Sequence, residues 1–446
     1  MAHRIRTTVA VAAITVTVGA LVSCSASDPG AGAGSSVSTV ADASAALWDS
    51  SSVHSLSIEY DRDDYDALID AYLATGEKEW ISATVVIDGE TFENAGLKLK
   101  GNSSLRGLST DADAELSSQS PQDLPWIIRL DKYVDGQSLD GTTELVVRGN
   151  SSETALNEAI ALDLLEAAGL ASEQAIAVRF SAGGSEETLR LVIENPDDAW
   201  MERELGTGLL YKAEAGGDYS YRGEDPDAYA DVFDQEGGDD DLAPLISFLE
   251  WLNESDDAEF AADLDEHLDV EAFATYLAFQ DLVDNFDDID GPGNNSYLYY
   301  DPDSGRMTVV NWDLNLAFGA SPGGAGGGRG GRGGGQPPGG GDRERPDAPD
   351  APDVPDREAT ATQATTVAAT RGGGSNVLSE RFLADDDFRA LYESASERLT
   401  ADLVASGAAA DILKAWTATL LSDAADLVPA DTIAEEADAL AAKLGS

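Results

Sequence analysis

Asn285, Asp287, Asp288 and Asp290, followed by Asn294 and Asn295, place carboxylates and carboxamides in one short stretch. Two strand-like runs come next, 296–300 and 307–311, rich in aromatic and β-branched residues and hinged at Asp301-Pro302-Asp303-Ser304-Gly305. That is a hairpin signal, because the turn residues supply the dihedrals a tight reversal needs. Pairing of the two runs sets Asn295, at one end, beside Asp313, at the other. Oxygen donors gathered this way suit Mg²⁺, a hard cation that keeps substrate phosphates among its partners. Asp, Asn and Gly are also the commonest turn formers, so a solvated acidic loop is the competing reading. An EF-hand is excluded by position: with Gly291 as its sixth residue, the first and twelfth would be Phe286 and Tyr297, neither a ligand.

The elements that must position these residues begin with a strand at 53–60 and a helix at 61–73 capped by its aspartates. Runs 81–87 and 91–100, joined by Asp88-Gly89, read as a second hairpin. Alternation along it puts Leu97 and Leu99 on one face and Lys98 and Lys100 on the other, where the lysines share a pocket with an anion or are simply solvated. Strands follow at 126–130 and 144–148. A helix at 153–168 is capped by Ser152 and stopped by Gly169. Strands at 175–181 and 188–194, and Leu210-Tyr211-Lys212, complete a mostly antiparallel sheet crossed by one long helix. Residues 216–241 show no strong period and read as acidic loop, 242–285 read as helical, and helices resume from 376.

At the start, His3, Arg4 and Arg6 precede an uncharged run, 7–22, shorter than the ~20 residues of a membrane span. It ends in Leu21-Val22-Ser23-Cys24, which resembles the bacterial lipobox. Residues 1–23 read as a signal peptide, with Cys24 as the lipidated first residue of an exported, membrane-tethered protein. Cys24 is the sole cysteine, so no intramolecular disulfide forms. Residues 24–50 read as a flexible tether, 51–215 and 216–319 as two parts of a globular unit, and 320–374 as a Gly/Pro/Asp-rich disordered insertion before the helices of 375–446. The net charge of −57 repels nucleic acid and anionic headgroups and favours cations and basic partners. With 42% hydrophobic residues, the chain is nonetheless able to bury a core.

Taken in order, Gly96-Leu-Lys-Leu-Lys-Gly-Asn-Ser-Ser104, Leu191-Val-Ile-Glu-Asn195, Leu210-Tyr-Lys212, the 285–295 segment with Tyr297-Leu-Tyr299, and Asn311-Trp-Asp-Leu-Asn-Leu-Ala-Phe-Gly319 resemble the CotH kinase family, named for spore coat protein H. The resemblance implies an α+β, atypical protein-kinase-like bilobal fold: a sheet-rich N-lobe with its long helix and a helical C-lobe carrying the catalytic hairpin. It implies ATP- and Mg²⁺-dependent phosphorylation of Ser/Thr in secreted or surface proteins. By position, Asp287 would orient or deprotonate the acceptor hydroxyl, with Asp288 and Asp290 competing for that role. Asn295 and Asp313 would hold Mg²⁺, joined by Asn315, which stands where the family often has Asp. Glu194 would sit near the lobe junction at the cofactor. The family's Lys before the strand at 126–130 is absent, which leaves the phosphate-contacting cation among Lys98, Lys100, Lys132 and Lys212. A non-catalytic, cation-binding surface scaffold is the alternative function.

Overall fold

The computed structural model describes residues 46–101, 103–114, 116–214, 216–291, 294–320 and 376–445. The signal segment, Cys24, most of the tether and the Gly/Pro/Asp-rich insertion lie outside the described residues. None of the described helices is long and apolar enough to cross a membrane.

Strand alternation does what the sequence predicts for β2 (Ile81–Ile87), where every second residue from Ile81 is buried. Its turn into β3 (Glu90–Leu99) uses Asp88 and Gly89 at φ of 48° and 87°, the left-handed pair that matches a hairpin to the twist of its strands. β1 (His54–Tyr60), β4 (Trp126–Arg129), β5 (Glu144–Val147), β6 (Ala175–Ala182) and β7 (Thr188–Glu194) join them. β6 runs parallel to β1, with His54 opposite Val178, and closes the order β1-β2-β3-β4-β5-β7-β6 into a seven-stranded barrel. Ile58, Val85, Leu97, Leu99, Trp126, Ile128, Val147 and Phe180 belong to its core. The helix α1 (Arg62–Thr75), capped by the Asp61 carboxylate on Asp63 N–H and ended by Gly76 at φ 80°, adds Tyr65, Leu68 and Ile69 to the same core.

This corrects the expected fold class. The N-terminal part is a closed barrel, not the open sheet of a kinase-like bilobal fold, although the chain remains α+β. Periodicity marks the apolar side of each strand, but the β1–β6 pairing that closes the barrel joins segments far apart in the chain.

The other face of β5 and β7 packs outside the barrel. Val146, Leu191 and Ile193 meet α2 (Leu156–Ala167), which α9 (Ala408–Asp423) and α10 (Ala430–Lys443) cover. α2 begins at Leu156 rather than at 153, because Ser152 Oγ accepts Ala155 N–H (3.1 Å) in a turn that precedes the helix. A second, four-stranded sheet has the order β11-β10-β8-β9: β8 (Leu209–Ala213), β9 (Phe233–Gly237), β10 (Ser296–Asp301) and β11 (Arg306–Asn311). β9 falls in the stretch expected to be loop. One side of this sheet shares a core with α4 (Ala243–Glu254), α5 (Asp257–His267), α6 (Val270–Leu282), α7 (Val377–Ala384) and α8 (Asp386–Leu399), which includes Tyr211, Leu298, Val309, Phe273 and Phe382; α3 (Asp198–Glu204) adds Trp200 and Met201 to the core around α2.

Candidate active site

The β10–β11 register pairs Ser296 with Asn311, so the residues just beyond, Asn295 and Asp313, flank the open end of the hairpin as expected. Both line a cleft of about 1830 Å³ whose opposite wall is the outside of the barrel. Asp313 takes φ 64°, ψ 63°, a left-handed conformation that costs a non-glycine residue of order 1 kcal/mol or more and persists where its surroundings enforce it. The enforcing partner is Arg148, which follows β5 and donates through Nη2 to Asp313 Oδ1. Its Nε donates to Glu158 Oε2 on α2 at 3.0 Å, and Nη2 lies 2.8 Å from Glu158 Oε1. Arg148 and Glu158 side chains are 8% and 4% exposed, so each buried charge needs an opposite charge beside it. Burial raises the Glu158 carboxyl and the Arg148 charge opposes that rise.

The acidic loop is held from behind by a chain of buried amides. Gln280, near the end of α6, donates to Asn311 Oδ1 (2.7 Å) and accepts from Asn285 Nδ2 (2.8 Å). Asn285 Oδ1 accepts Asp287 N–H at 3.4 Å, and Asn295 Nδ2 donates to the Asp287 carbonyl at 2.9 Å. Gly291 closes the loop: a Cβ there would fall 2.6 Å from the Phe286 carbonyl oxygen and 2.7 Å from Asp287 Cα.

Among the three candidate acids, only Asp287 lines the cleft. Asp288 is 1% exposed and its carboxylate accepts Asp290 N–H (3.0 Å), an internal turn. Asp290 binds Asn376 N–H (3.1 Å) and Ser379 Oγ, anchoring α7. Asn315 does line the cleft; its backbone carbonyl accepts Asn157 Nδ2 (2.6 Å) and Ser151 Oγ (3.1 Å). Its Oδ1 is buried with no hydrogen-bond partner among the described residues.

On the barrel wall, Lys98 on the outer face of β3 and Lys100 just past its end both line the cleft, on the side that alternation predicts. Lys100 Nζ donates to Asn195 Oδ1 (3.3 Å) and stands 5.1 Å from the Trp312 ring centroid. Burial, then the Lys212 charge, bring its pKa down to about 8. Lys212 pairs with Glu214 at the cleft. Lys132 and Lys78 line it too, so five of the chain's seven lysines collect in one place on a protein of net charge −57. Glu194 is not there. It is bound by both Arg203 nitrogens at 2.6 Å and by Gln174 N–H at 2.8 Å. Its neighbour Asn195 lines the cleft instead, donating to Glu144 Oε2 at 3.1 Å.

Arg148, Glu158, Gln280 and Asn311 escaped sequence reasoning as functional residues. The one available signal was Glu158, an acid among the buried positions of α2 with Leu162 and Leu165 one and two turns on. Such an acid needs a partner.

A family model described as CotH kinase protein matches residues 97–427. The chain belongs to the CotH kinase family. Comparison with curated proteins finds no match. Membership in a kinase family carries kinase function and implies use of ATP. For the metal that CotH-like transfer implies, the donors available are Asp313, Asn295 and Asn315. They are hard oxygens, and one of them, the buried Asn315 Oδ1, has no partner among the described residues, so the set fits Mg²⁺ in chemistry. The set holds a single carboxylate, and no group of three or more His, Cys, Asp or Glu suited to a metal occurs among the described residues.

Proposed function

We propose that this CotH kinase is an exported, lipid-anchored enzyme that transfers the ATP γ-phosphate to Ser/Thr of secreted or surface proteins. The observation that carries the reading is the convergence of Asp287, Asn295 and Asp313 on one cleft with Lys100 and Lys212. Phosphoryl transfer needs little covalent chemistry from a protein; it needs positioned charge and an oriented acceptor.

Asp287 accepts the proton of the acceptor hydroxyl, whose oxygen bonds to the γ-phosphorus as the bond from that phosphorus to the β–γ bridging oxygen breaks and ADP leaves. Lys100 and Lys212 neutralise phosphate oxygens from the barrel side. Asp313, Asn295 and Asn315 would hold Mg²⁺, which when bound neutralises charge between the β- and γ-phosphates. Arg148 positions Asp313, and the Asn311–Gln280–Asn285 chain positions Asp287. Asp288 and Glu194 serve the scaffold around the site. Cys24 supplies the tether to the outer face of the membrane.

The test is γ-phosphate transfer and Mg-ATP titration on the soluble chain lacking residues 1–23. Protein that neither binds Mg-ATP nor transfers phosphate would leave the cation-binding scaffold. Cys24→Ser in the full chain should leave the membrane fraction or remain unprocessed; a cleaved mutant still held on the membrane would refute lipidation.

A further inference from the structure

The helix α10 carries Ile433, Ala437, Leu440 and Leu444 at the spacing of one helical face, and all four join the core around α2. Glu436 and Lys443 interrupt that stripe, about two turns apart. A charged side chain on a packing face needs polar partners. The Glu436 carboxylate finds them in the segment that joins β5 to α2. Its Oε2 accepts Ser152 Oγ (2.8 Å), Thr154 N–H (3.2 Å) and the Thr154 hydroxyl, and its Oε1 accepts Glu153 N–H (3.0 Å). At its first turn α2 has no side-chain cap, and Ala155 there takes φ 54°. Glu436 thus brings both acceptors and negative charge to that helix end.

The segment that Glu436 holds is the one that reaches the hairpin end. Arg148, at its start, binds Asp313, and Ser151 and Asn157 take the Asn315 carbonyl. Lys443 reaches the same stretch from its other side, donating through Nζ to the Phe318 carbonyl. Phe318 and Gly319 take φ of 60° and 63°, and their N–H groups donate to the carbonyls of Val283 (2.5 Å) and Asp284 (3.0 Å). A Cβ on Gly319 would lie 2.7 Å from Asp284 Oδ2 and 3.7 Å from Lys443 Nζ, so the ammonium stands close against this turn. α10 lies beyond residue 427, where the family match ends.

We propose that Glu436 and Lys443 are positioning residues for phosphoryl transfer: α10 braces residues 313–318 from both ends, so that Asp313 and Asn315 keep their oxygens toward the cleft. The role of those oxygens rests on the kinase reading above; the brace itself rests on the hydrogen bonds. The apolar stripe is enough to dock α10 on α2, and neither charged residue is needed for that. Both instead engage irregular backbone, and Asp313 and Phe318 hold left-handed conformations that persist only where their surroundings enforce them. Glu436 acts on Asn315 and Asp313 through residues 148–158, as a partner behind a metal ligand does, and Lys443 acts on Phe318 directly.

The test compares the purified soluble chain with Glu436→Gln, Lys443→Met and Lys443→Arg, and with Asp438→Asn, an exposed acid on the same helix, as a charge control. Amide hydrogen exchange is followed without metal, and ATP binding is titrated at varied Mg²⁺ and again in EDTA. Glu436→Gln leaves one acceptor oxygen for four donors, so exchange at 313–318 should quicken several-fold while the barrel strands keep their protection. The Mg²⁺ needed for half-maximal ATP binding should rise ~10-fold, the lower end for a group behind a metal ligand. ATP affinity in EDTA should hold, because Lys100 and Lys212 are untouched. Lys443→Met should act in the same direction but less, Lys443→Arg should restore wild-type behaviour, and Asp438→Asn should change nothing. A lowered melting temperature with exchange at 313–318 and Mg²⁺ requirement as in wild type would overturn the proposal and leave α10 a role in stability alone. So would exchange that quickens equally throughout the molecule. If Glu436→Gln does not fold, the Lys443 pair decides by the same readouts. Wild-type protein that binds no Mg-ATP would refute the kinase reading, while exchange at 313–318 would still decide the brace.

Discussion

On the barrel wall, Lys98 is presented by a paired strand and Lys100 by the residue just past its end, and their direction follows from a period of two. On the facing wall, Asp287, Asn295 and Asp313 leave turns and strand ends, and Asp313 sits at φ 64°. The first wall needs only sheet pairing to be correct. The second needs Arg148, Gln280, Asn285 and Asn311 to hold irregular backbone in place. Cations are therefore set by local pattern and the oxygens by buried partners, and perturbing the two walls should have different consequences.

The largest effect is expected from Asp313→Ala, which should abolish both Mg-dependent nucleotide binding and transfer. Arg148 keeps Glu158, so the loss in stability should be limited to about 1–3 kcal/mol, the cost of one buried unmatched group. Transfer that survives this change would mean the oxygen wall has been assigned to the wrong residue. Next in size is Asp287→Ala, which should retain nucleotide affinity while losing ~10²–10⁴ in rate, the usual scale of a general base. An equal loss for Asp288→Ala with an unchanged melting temperature would contradict the buried place of Asp288.

The barrel wall is probed by pH. Lys100, whose pKa is about 8, is charged below that value and loses its proton above it. Phosphate affinity should be full below pH 8 and fall by up to about tenfold per unit above it. Lys100→Arg, which keeps its charge, should flatten the decline; a wild-type profile flat through pH 9 would remove Lys100 from the phosphate site. The smallest effect is expected from Gln280→Leu. It leaves buried amide groups of Asn285 and Asn311 unmatched and should cost about 1–3 kcal/mol in a denaturant titration. Its turnover should fall several-fold with nucleotide affinity preserved, because it displaces Asp287 rather than the lysines. Unchanged turnover would show that the amide chain serves stability alone.

Much of the cleft was legible in the sequence. The Asp88-Gly89 reversal, the shared face of Lys98 and Lys100, the 296–311 hairpin and the meeting of Asn295 with Asp313 all follow from local rules that need only neighbouring residues. The family resemblance supplied the role expected of Asp287. Three matters needed the tertiary structure. Barrel closure depends on β6 lying parallel to β1, a pairing that alternation cannot specify. The choice among Asp287, Asp288 and Asp290 depends on which of them the folded chain sets at the cleft, and all three look alike in sequence. The Arg148–Glu158–Asp313 bridge joins a strand end, a helix and a hairpin end, so its members carry no shared spacing. Local preference is set by short-range sterics and periodicity; long-range partners are chosen by burial, which makes an unpaired charge expensive only once the chain has folded around it.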